Sequence, residues 1–311
     1  MTVTLADVTA AAERIGAYIH RTPVLTSELL DELTGARLFF KCENLQKAGA
    51  FKARGAVNAV FSLPESALDR GVATHSSGNH GAALARAAAL RGVRAYIVVP
   101  ANAKQVKKDA ILGYGAEVIE CEPTLAAREA MLASVIAKTN AIEVHPYDDP
   151  AIIAGQGTAG LELSQQVPDL DALVVPVGGG GLLAGCSLVA AERPLSVYGA
   201  EPAGAADGRE SLRTGNRVKS HVPDTICDGL LTTLGEQNFE IIRQHVRDIL
   251  VVDDAAVVEA MKLIWTRMKI VVEPSAAITL AVVLHNPDLF TGKRTGLVLT
   301  GGNVDLANLP F

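Results

Sequence analysis

The stretch Val174-Val-Pro-Val-Gly178-Gly179-Gly180-Gly181-Leu182-Leu183-Ala184-Gly185 joins a short valine-rich run to four consecutive glycines, and a helical pattern follows through Ala191. A buried strand, a loop and a helix are predicted in that order. Consecutive glycines let the backbone N–H groups point to one place, because no Cβ blocks the approach. The helix N-terminus behind them adds a positive partial charge. The loop is therefore predicted to bind an anion, most naturally a phosphate.

Two common phosphate-binding signatures do not match this loop. It lacks the lysine and Ser/Thr pair that closes a P-loop, and its spacing is not G-x-G-x-x-G. A flexible turn in a glycine-rich connection is the competing interpretation, and the local sequence leaves both open.

Composition and charge exclude several classes of protein. The chain of 311 residues is 49% apolar and 20% charged, which is typical of a globular protein. The net charge is −6 and the longest basic block is Lys107-Lys108, so no nucleic-acid partner is expected. The uncharged run from Ala172 to Ala191 is long enough to cross a bilayer. Pro176 and the glycines would leave its backbone unpaired in lipid, so no membrane span is expected.

The four cysteines lie far apart and form no C-x-x-C pair. Reduced, buried thiols in a cytoplasmic protein are therefore expected, ahead of disulfides or a metal cage. The N-terminus shows no secretory signal pattern.

Strand and helix patterns alternate along most of the chain. An opening helix is predicted over Leu5–Ile19 and a strand over Arg37–Cys42. The predicted strands that follow are Arg94–Val99, Ala116–Glu120, Ile142–Val144, Asp171–Val175, Ser196–Ala200, Ile249–Val252 and Gly296–Leu299. The predicted helices between them are Lys104–Leu112, Leu125–Lys138, Ala151–Val167, Ala255–Met268 and Ser275–His285, while residues 202–236 are predicted to be irregular. This alternation is typical of an α/β protein with parallel sheets.

Lys52 and Arg54 lie at the start of a helical pattern that begins at Ala53. Cations are disfavoured at this positive end of a helix, so stability alone would select acidic residues there. The same field lowers the pKa of a lysine and favours the free amine that attacks a carbonyl. Most lysines are solvated surface residues, and on local sequence alone that interpretation of Lys52 is the stronger one.

A second polar loop, Ser76-Ser77-Gly78-Asn79-His80-Gly81, leads into an alanine-rich helix that ends at Gly92. Backbone amides at a helix N-terminus can bind a carboxylate. Serine and asparagine are also preferred helix caps, and both interpretations can hold together.

Five stretches, in this order, resemble the pyridoxal-phosphate-dependent serine/threonine dehydratases and serine racemases. They are Phe51-Lys52-Ala-Arg54-Gly55-Ala56, Ser76–Gly81, Ala154-Gly155-Gln156-Gly157-Thr158, Gly178–Gly181 and Thr300-Gly301-Gly302-Asn303. The resemblance covers nearly the whole chain and is strongest to the serine racemase and 3-hydroxyaspartate dehydratase branch. It implies fold type II, with a large domain of residues 1–73 and 146–311 and a small inserted domain of residues 74–145.

The resemblance also implies roles for individual residues. Lys52 resembles the lysine that binds pyridoxal phosphate as a Schiff base, and Phe51 would pack beside the cofactor ring. Gly178, Gly179, Gly180, Gly181 and the Leu182 amide would hold the phosphate, Asn79 the ring hydroxyl and Thr300 the pyridine nitrogen. A hydroxyl is a weak donor, so the nitrogen would stay largely neutral, which suits β-elimination. The segment Ser76–His80, with Ser76, Ser77, Asn79 and His80, would bind the substrate carboxylate.

Further implied sites concern stereochemistry and activation. Ser77 resembles the serine that returns a proton to the opposite face of the substrate in the racemases, although it could bind carboxylate only. Glu201, Asp207 and the Ala205 carbonyl resemble a divalent cation site, and oxygen ligands suit Mg²⁺, Ca²⁺ or Mn²⁺. Ala82 stands where the mammalian racemases have a glutamine in their nucleotide-binding site, whereas Tyr114, Lys269 and Asn303 match other residues of that site. The resemblance therefore leaves activation by ATP open.

The implied activity is that of an ammonia-lyase that converts a β-hydroxy amino acid, by default L-serine or L-threonine, to a 2-oxo acid and ammonia. Serine racemase with dehydratase side activity and 3-hydroxyaspartate dehydratase are the alternatives within the family. For the latter, Arg128 or His145 could meet the second carboxylate. A homodimer acting on a small amino acid is expected. Outside the family, a phosphate-binding protein without pyridoxal phosphate stays possible.

Overall fold

The computed structural model describes residues 3–311 and builds them around two β-sheets, one of six strands and one of four. The strands are β1 Val24–Leu25, β2 Arg37–Cys42, β3 Val72–His75, β4 Ala95–Pro100, β5 Glu117–Cys121, β6 Ile142–Glu143, β7 Ala172–Pro176, β8 Ser196–Pro202, β9 Asp248–Val252 and β10 Arg294–Leu299. The helices are α1 Leu5–Ile15, α2 Glu28–Thr34, α3 Lys52–Phe61, α4 Asn79–Arg91, α5 Gln105–Leu112, α6 Leu125–Thr139, α7 Pro150–Gln166, α8 Gly181–Ala190, α9 Asp207–Thr214, α10 Glu236–His245, α11 Asp254–Leu263, α12 Pro274–His285 and α13 Pro287–Phe290.

The larger sheet has the order β1-β2-β10-β7-β8-β9, and every pair except β1–β2 is parallel. Both faces are covered, because successive side chains of a strand point to opposite sides. On β7, Leu173 and Val175 pack with α1, α7, α8 and α10. Val174 packs on the other face with α11 and α12. The valine-rich run is thus a central strand buried on both sides.

The smaller sheet has the order β5-β4-β3-β6 and is wholly parallel. On β4, Ile97 and Val99 pack with α3 and α4, whereas Val98 packs with α6. The predicted α/β class and parallel sheets are therefore confirmed. The division into domains at residues 73/74 and 145/146 stays a prediction.

Helices α7 and α8 cross at glycines, which fixes the position of the glycine loop. A Cβ on Gly157 would lie 2.7 Å from the Gly185 carbonyl oxygen. Only glycine permits this approach of two backbones, so the helix behind the loop is held tightly against α7.

Several predicted elements differ from the structure in length or kind. The opening helix ends at Ile15 rather than Ile19, with Gly16 following it. The segment predicted to be irregular contains α9, which begins at Asp207 and ends before Gly215 in the left-handed conformation. Asp207 is a typical helix start signal and Gly215 a typical stop signal, so the sequence did mark this helix within a segment that is otherwise rich in loops. No helix among residues 3–311 has the length and apolarity needed to span a bilayer.

Candidate active site

Lys52 is the first residue of α3. Its Nζ donates a hydrogen bond of 2.8 Å to the Pro146 carbonyl and lies 5.2 Å from the centroid of the Phe51 ring. Desolvation lowers the pKa of Lys52 to about 8. The sequence predicts a lowered pKa from the field of the helix N-terminus, whereas in the structure the lowering comes from loss of water around the amine. An appreciable fraction of the amine is therefore uncharged near neutral pH.

The helix that carries Lys52 is anchored by a buried cluster of charges. Arg54 is fully buried, and its Nε and Nη2 each donate a 2.7 Å hydrogen bond to Glu43, the residue that follows β2. Its Nη1 and Nη2 donate 2.9 Å hydrogen bonds to Glu162 of α7. Removing one partner of such a buried pair costs about 3–5 kcal/mol. This cluster fixes the start of α3 relative to the larger sheet.

The glycine loop presents a run of unpaired amides. Residues 178–182 are buried, and Gly180 has φ +91°, a conformation that favours glycine. Within residues 3–311, none of the five N–H groups from Gly178 to Leu182 donates a hydrogen bond to another group of the protein. A buried unpaired amide costs about 1–3 kcal/mol, so five in sequence indicate an absent acceptor. The donors fit a phosphate at the N-terminus of α8.

Tyr147 covers this loop, and the sequence did not indicate its position. A Cβ on Gly179 would lie 2.5 Å from Tyr147 Cδ1 and closer still to two other ring atoms. Asn238 Nδ2 donates to the carbonyls of both Tyr147, at 3.0 Å, and Gly179, at 2.7 Å. Lys52 donates to the Pro146 carbonyl, and Gly179 lies against Tyr147. The lysine amine and the glycine loop therefore both contact the dipeptide Pro146-Tyr147.

The second polar loop leads into α4, as predicted. Ser76 and Ser77 are partly exposed, and the Gly78 amide donates to Ser76 Oγ at 3.4 Å. His80 is buried, with Nε2 3.3 Å from the Val144 carbonyl oxygen and no partner for Nδ1 among the described residues. Burial lowers the pKa of His80 well below its usual value. The ring is therefore neutral, and its hydrogen bond to Val144 helps to hold the start of α4 in place beside the site.

Asn79 connects elements of the two sheets. Its Nδ2 donates to the two carboxylate oxygens of Glu273 at 3.1 and 3.3 Å, and its Oδ1 accepts from Asn303 Nδ2 at 2.9 Å. Glu273 is 4% exposed. Burial, and next the charge of Asp228, raise the pKa of Glu273 to about 7. The sequence missed Glu273, because Pro274 after it indicates only a helix start.

Thr300 lies next to the segment that carries Lys52. Its side chain is buried, and Oγ1 donates a long hydrogen bond of 3.5 Å to the Ser275 carbonyl. Its own carbonyl accepts the Phe51 amide at 3.0 Å. The segment before α3 and the segment after β10 thus meet at the site.

Three neutral histidines lie near the second polar loop. Desolvation lowers the pKa of His75 and lowers that of His145 to about 4, as it does for His80. His145 Nδ1 accepts the Asp148 amide at 2.9 Å, so its proton lies on Nε2. His75 and His145 line a cavity of about 500 Å³ together with Glu129, Glu143 and apolar residues of α6, and none of the predicted cofactor- or substrate-binding residues lines it. The charge of Arg128 also contributes to the lowered pKa of His75.

The residues of the predicted cation site lie close to one another. Glu201 is fully buried and accepts the Gly208 and Arg209 amides at 2.8 and 2.9 Å. Asp207 Oδ2 accepts the Leu234 amide at 3.1 Å, and Oδ1 is buried without a hydrogen-bond partner among the described residues. Burial raises the pKa of Glu201 to about 8.

No group of three or more His, Cys, Asp or Glu side chains suited to a metal ion occurs within residues 3–311. A cation there would rely on two carboxylates and backbone oxygen, and the unpaired oxygen of Asp207 fits one.

Comparison with known proteins identifies relatives along the whole chain. A family profile described as "Pyridoxal-phosphate dependent enzyme" matches residues 15–301. A beta-hydroxyaspartate dehydratase of Paracoccus denitrificans is 50% identical over 310 residues, covering 99% of this chain and 98% of the relative. A serine racemase of Dictyostelium discoideum is 50% identical over 315 residues, covering 99% and 97%.

Solved structures agree with these relatives. The serine racemase from Dictyostelium discoideum has a TM-score of 0.94 and 50% identity, with coverage of 98% of this chain and 100% of that chain. The T.th. threonine deaminase has a TM-score of 0.93 and 43% identity, again with coverage of 98% and 100%. The likeness extends over both sheets.

Proposed function

Since this chain belongs to the pyridoxal-phosphate-dependent enzymes of fold type II, we propose that it is an ammonia-lyase of β-hydroxy amino acids. The observation that carries the proposal is the amine of Lys52, with its pKa lowered to about 8, hydrogen-bonded to Pro146, whose neighbour Tyr147 contacts the loop of five unpaired amides at Gly179 and Gly181. An uncharged amine and a phosphate cup on either side of one dipeptide suit a cofactor that is held at both ends.

The residues that would hold the cofactor are those already described. The Gly178–Leu182 amides would hold its phosphate, Phe51 would pack beside its ring, and Thr300 and Asn79 would hold the ring nitrogen and hydroxyl. When bound, pyridoxal phosphate supplies covalent attachment of the substrate amine and an electron sink for the α-carbon. The weak donor at Thr300 favours elimination over reactions that need a protonated ring.

The chain supplies binding and proton transfer. The Ser76–His80 loop binds the substrate α-carboxylate at the N-terminus of α4. Lys52 Nζ removes the α-proton, which its lowered pKa permits near neutral pH. The C–O bond to the β-hydroxyl breaks, and the hydroxyl takes up a proton and leaves as water. Hydrolysis of the resulting enamine then consumes one water and gives the 2-oxo acid and ammonia. Glu201, Asp207 and the Ala205 carbonyl would bind the divalent cation outside this centre.

Turnover of a substrate panel tests the proposal. Purified, cofactor-supplied protein is given L-serine, D-serine, L-threonine and the 3-hydroxyaspartate isomers, and 2-oxo acid and ammonia are measured. Production from a β-hydroxy amino acid is expected, and Lys52→Ala should reduce it by several orders of magnitude, since covalent link and base vanish together. Ordinary turnover by Lys52→Ala, or none by the wild type, would contradict the proposal.

A 3-hydroxyaspartate is the second candidate substrate, and one observation favours it. The neutral ring of His145 carries its proton on Nε2 and lies edge-on to Tyr147, the residue that contacts the glycine loop, with ring centroids 4.6 Å apart, and Arg128 lies within electrostatic range of His75. Neutral donors and a guanidinium suit a second carboxylate. The beta-hydroxyaspartate dehydratase relative supports this candidate.

Arg128→Gln separates the two candidates. If Arg128 meets the second carboxylate, KM for 3-hydroxyaspartate should rise by about tenfold or more, the equivalent of about 1.4 kcal/mol, while KM for L-serine stays constant. An equal change for both substrates would place Arg128 outside substrate recognition.

A further inference from the structure

Asn238 lies behind the glycine loop, and nothing in the sequence pattern singled it out. It is the third residue of α10 and is fully buried. Its Nδ2 donates to the Tyr147 carbonyl at 3.0 Å and to the Gly179 carbonyl at 2.7 Å. A primary amide has two N–H hydrogens, so these two acceptors use both of them. One side chain therefore holds the two segments that meet at the candidate site.

The other end of the same amide has no partner. Oδ1 of Asn238 is buried and accepts no hydrogen bond from the described residues. A flipped amide would place this oxygen against two carbonyl oxygens, so the two acceptors determine the orientation. A buried oxygen without a donor lowers the stability of a fold. The side chain therefore reduces stability at one end, which indicates that the two contacts at its other end serve function.

The contact with Gly179 determines the direction of one amide of the phosphate cup. The Gly179 carbonyl also accepts the Gly235 amide at 3.0 Å, so two donors at the start of α10 hold it. A trans peptide is planar, and its C=O and N–H point in opposite directions. The N–H of this peptide belongs to Gly180 and is one of the five unpaired amides. Holding the carbonyl toward α10 therefore directs the Gly180 N–H away from that helix.

The contact with Tyr147 holds the segment that carries the acceptor of Lys52. Lys52 Nζ donates to the Pro146 carbonyl, and Asn238 holds the carbonyl of the next residue. The carboxylate of Asp148, one residue further on, accepts two amides from the first turn of α10 at 2.9 and 3.0 Å. The start of α10 therefore fixes this segment and the glycine loop relative to each other.

We propose that Asn238 is a positioning residue for the cofactor: with one amide it aims the Gly180 N–H at the phosphate and fixes the cup relative to the acceptor of Lys52. This role rests on the proposed function, because pyridoxal phosphate is the anion that the cup would hold. Asn238 acts through Gly179 and Tyr147 and takes no part in proton transfer.

Binding of two cofactor forms to cofactor-free protein tests this role. Asn238→Leu replaces the amide with an apolar group of similar size and removes both donor contacts. With one phosphate donor misdirected, the dissociation constant of pyridoxal phosphate should rise roughly 10- to 100-fold. The dissociation constant of pyridoxal, which has no phosphate, should change by less than about threefold. A merely structural role would weaken both ligands alike.

Gln237→Leu is the matched control on the same turn of α10. It removes a hydrogen bond of 3.2 Å from Gln237 Nε2 to the Asp148 carbonyl, next to the segment that Asn238 holds. It should leave the ratio of the two dissociation constants unchanged. The ³¹P resonance of the bound cofactor should shift in Asn238→Leu and stay in place in Gln237→Leu, since only the former changes the donors around the phosphate.

Asn238→Thr provides the test if Asn238→Leu does not fold, as judged by thermal melts. A hydroxyl has one proton and can serve only one of the two carbonyls, so an intermediate change of the ratio is expected. An unchanged ratio in the folded Asn238 variants, or an equal change in Gln237→Leu, overturns this role alone. A wild type that gives no visible absorbance with pyridoxal phosphate overturns the proposed function and this role together.

Discussion

Gly179→Ala is the substitution whose effect the structure defines most sharply. The new Cβ would lie 2.5 Å from Tyr147 Cδ1, whereas ordinary carbon contacts begin at 3.4 Å. The ring must therefore move by about 1 Å, or the loop must move away from it. Asn238 holds the carbonyls of both residues, so a shift of either disturbs the loop as a whole.

The cost follows from the amides that the loop presents. If the shift misaligns two of the five N–H groups, two hydrogen bonds to a charged phosphate are lost, at about 1.5–3 kcal/mol each. The expected loss of about 3–6 kcal/mol corresponds to a roughly 10²- to 10⁴-fold weaker affinity for pyridoxal phosphate. Affinity for pyridoxal, which has no phosphate, should change much less.

The assay is a titration of cofactor-free protein with pyridoxal phosphate and with pyridoxal, followed by visible absorbance. Gly78→Ala serves as the control, because no atom lies within 4 Å of the position that its Cβ would take and its φ of −102° suits alanine. Tyr147→Ala in the Gly179→Ala background should restore part of the lost affinity, since it removes the ring that clashes. The reasoning is refuted if Gly179→Ala binds both ligands like the wild type, or if Tyr147→Ala restores nothing.

Two further predictions concern stereochemistry and pH. Ser77→Ala should lose any D/L-serine interconversion while it retains measurable L-serine elimination, because only the former needs a donor on the opposite face; an unchanged ratio of the two rates would show that Ser77 only binds substrate. For Glu273, the folded-state pKa of about 7 exceeds the usual 4.5, so the folded state holds the extra proton and stability falls as pH rises between these values. Between about pH 4.5 and 7, the unfolding free energy of cofactor-free wild type should fall by about 3 kcal/mol more than that of Glu273→Gln, because the variant has no carboxyl to titrate. Urea unfolding at several pH values measures this difference. Parallel pH profiles for wild type and variant would mean that Glu273 titrates normally.

Much of the fold is encoded in local sequence. The alternation of strands and helices, the glycine loop at 178–181 and the helix that starts next to Lys52 are each contiguous signals, and the structure contains all three. Four glycines before a helix expose their backbone amides to a ligand in any protein context, because the absence of Cβ is a property of the residues themselves. The same holds for side chains that alternate between two faces of β7.

Other features depend on distant segments that meet only after folding. Tyr147 lies on Gly179, Glu273 accepts from Asn79, and Asn238 donates to the carbonyls of Tyr147 and Gly179. Even the lowered pKa of Lys52 depends on tertiary structure, because the surrounding protein removes its water. Periodicity and propensity describe each residue's own neighbourhood along the chain. The pattern of residue types along the chain therefore determined the strands, the helices and the amide cup. Burial, and the contacts between segments that are distant in sequence, decided which side chains complete the site.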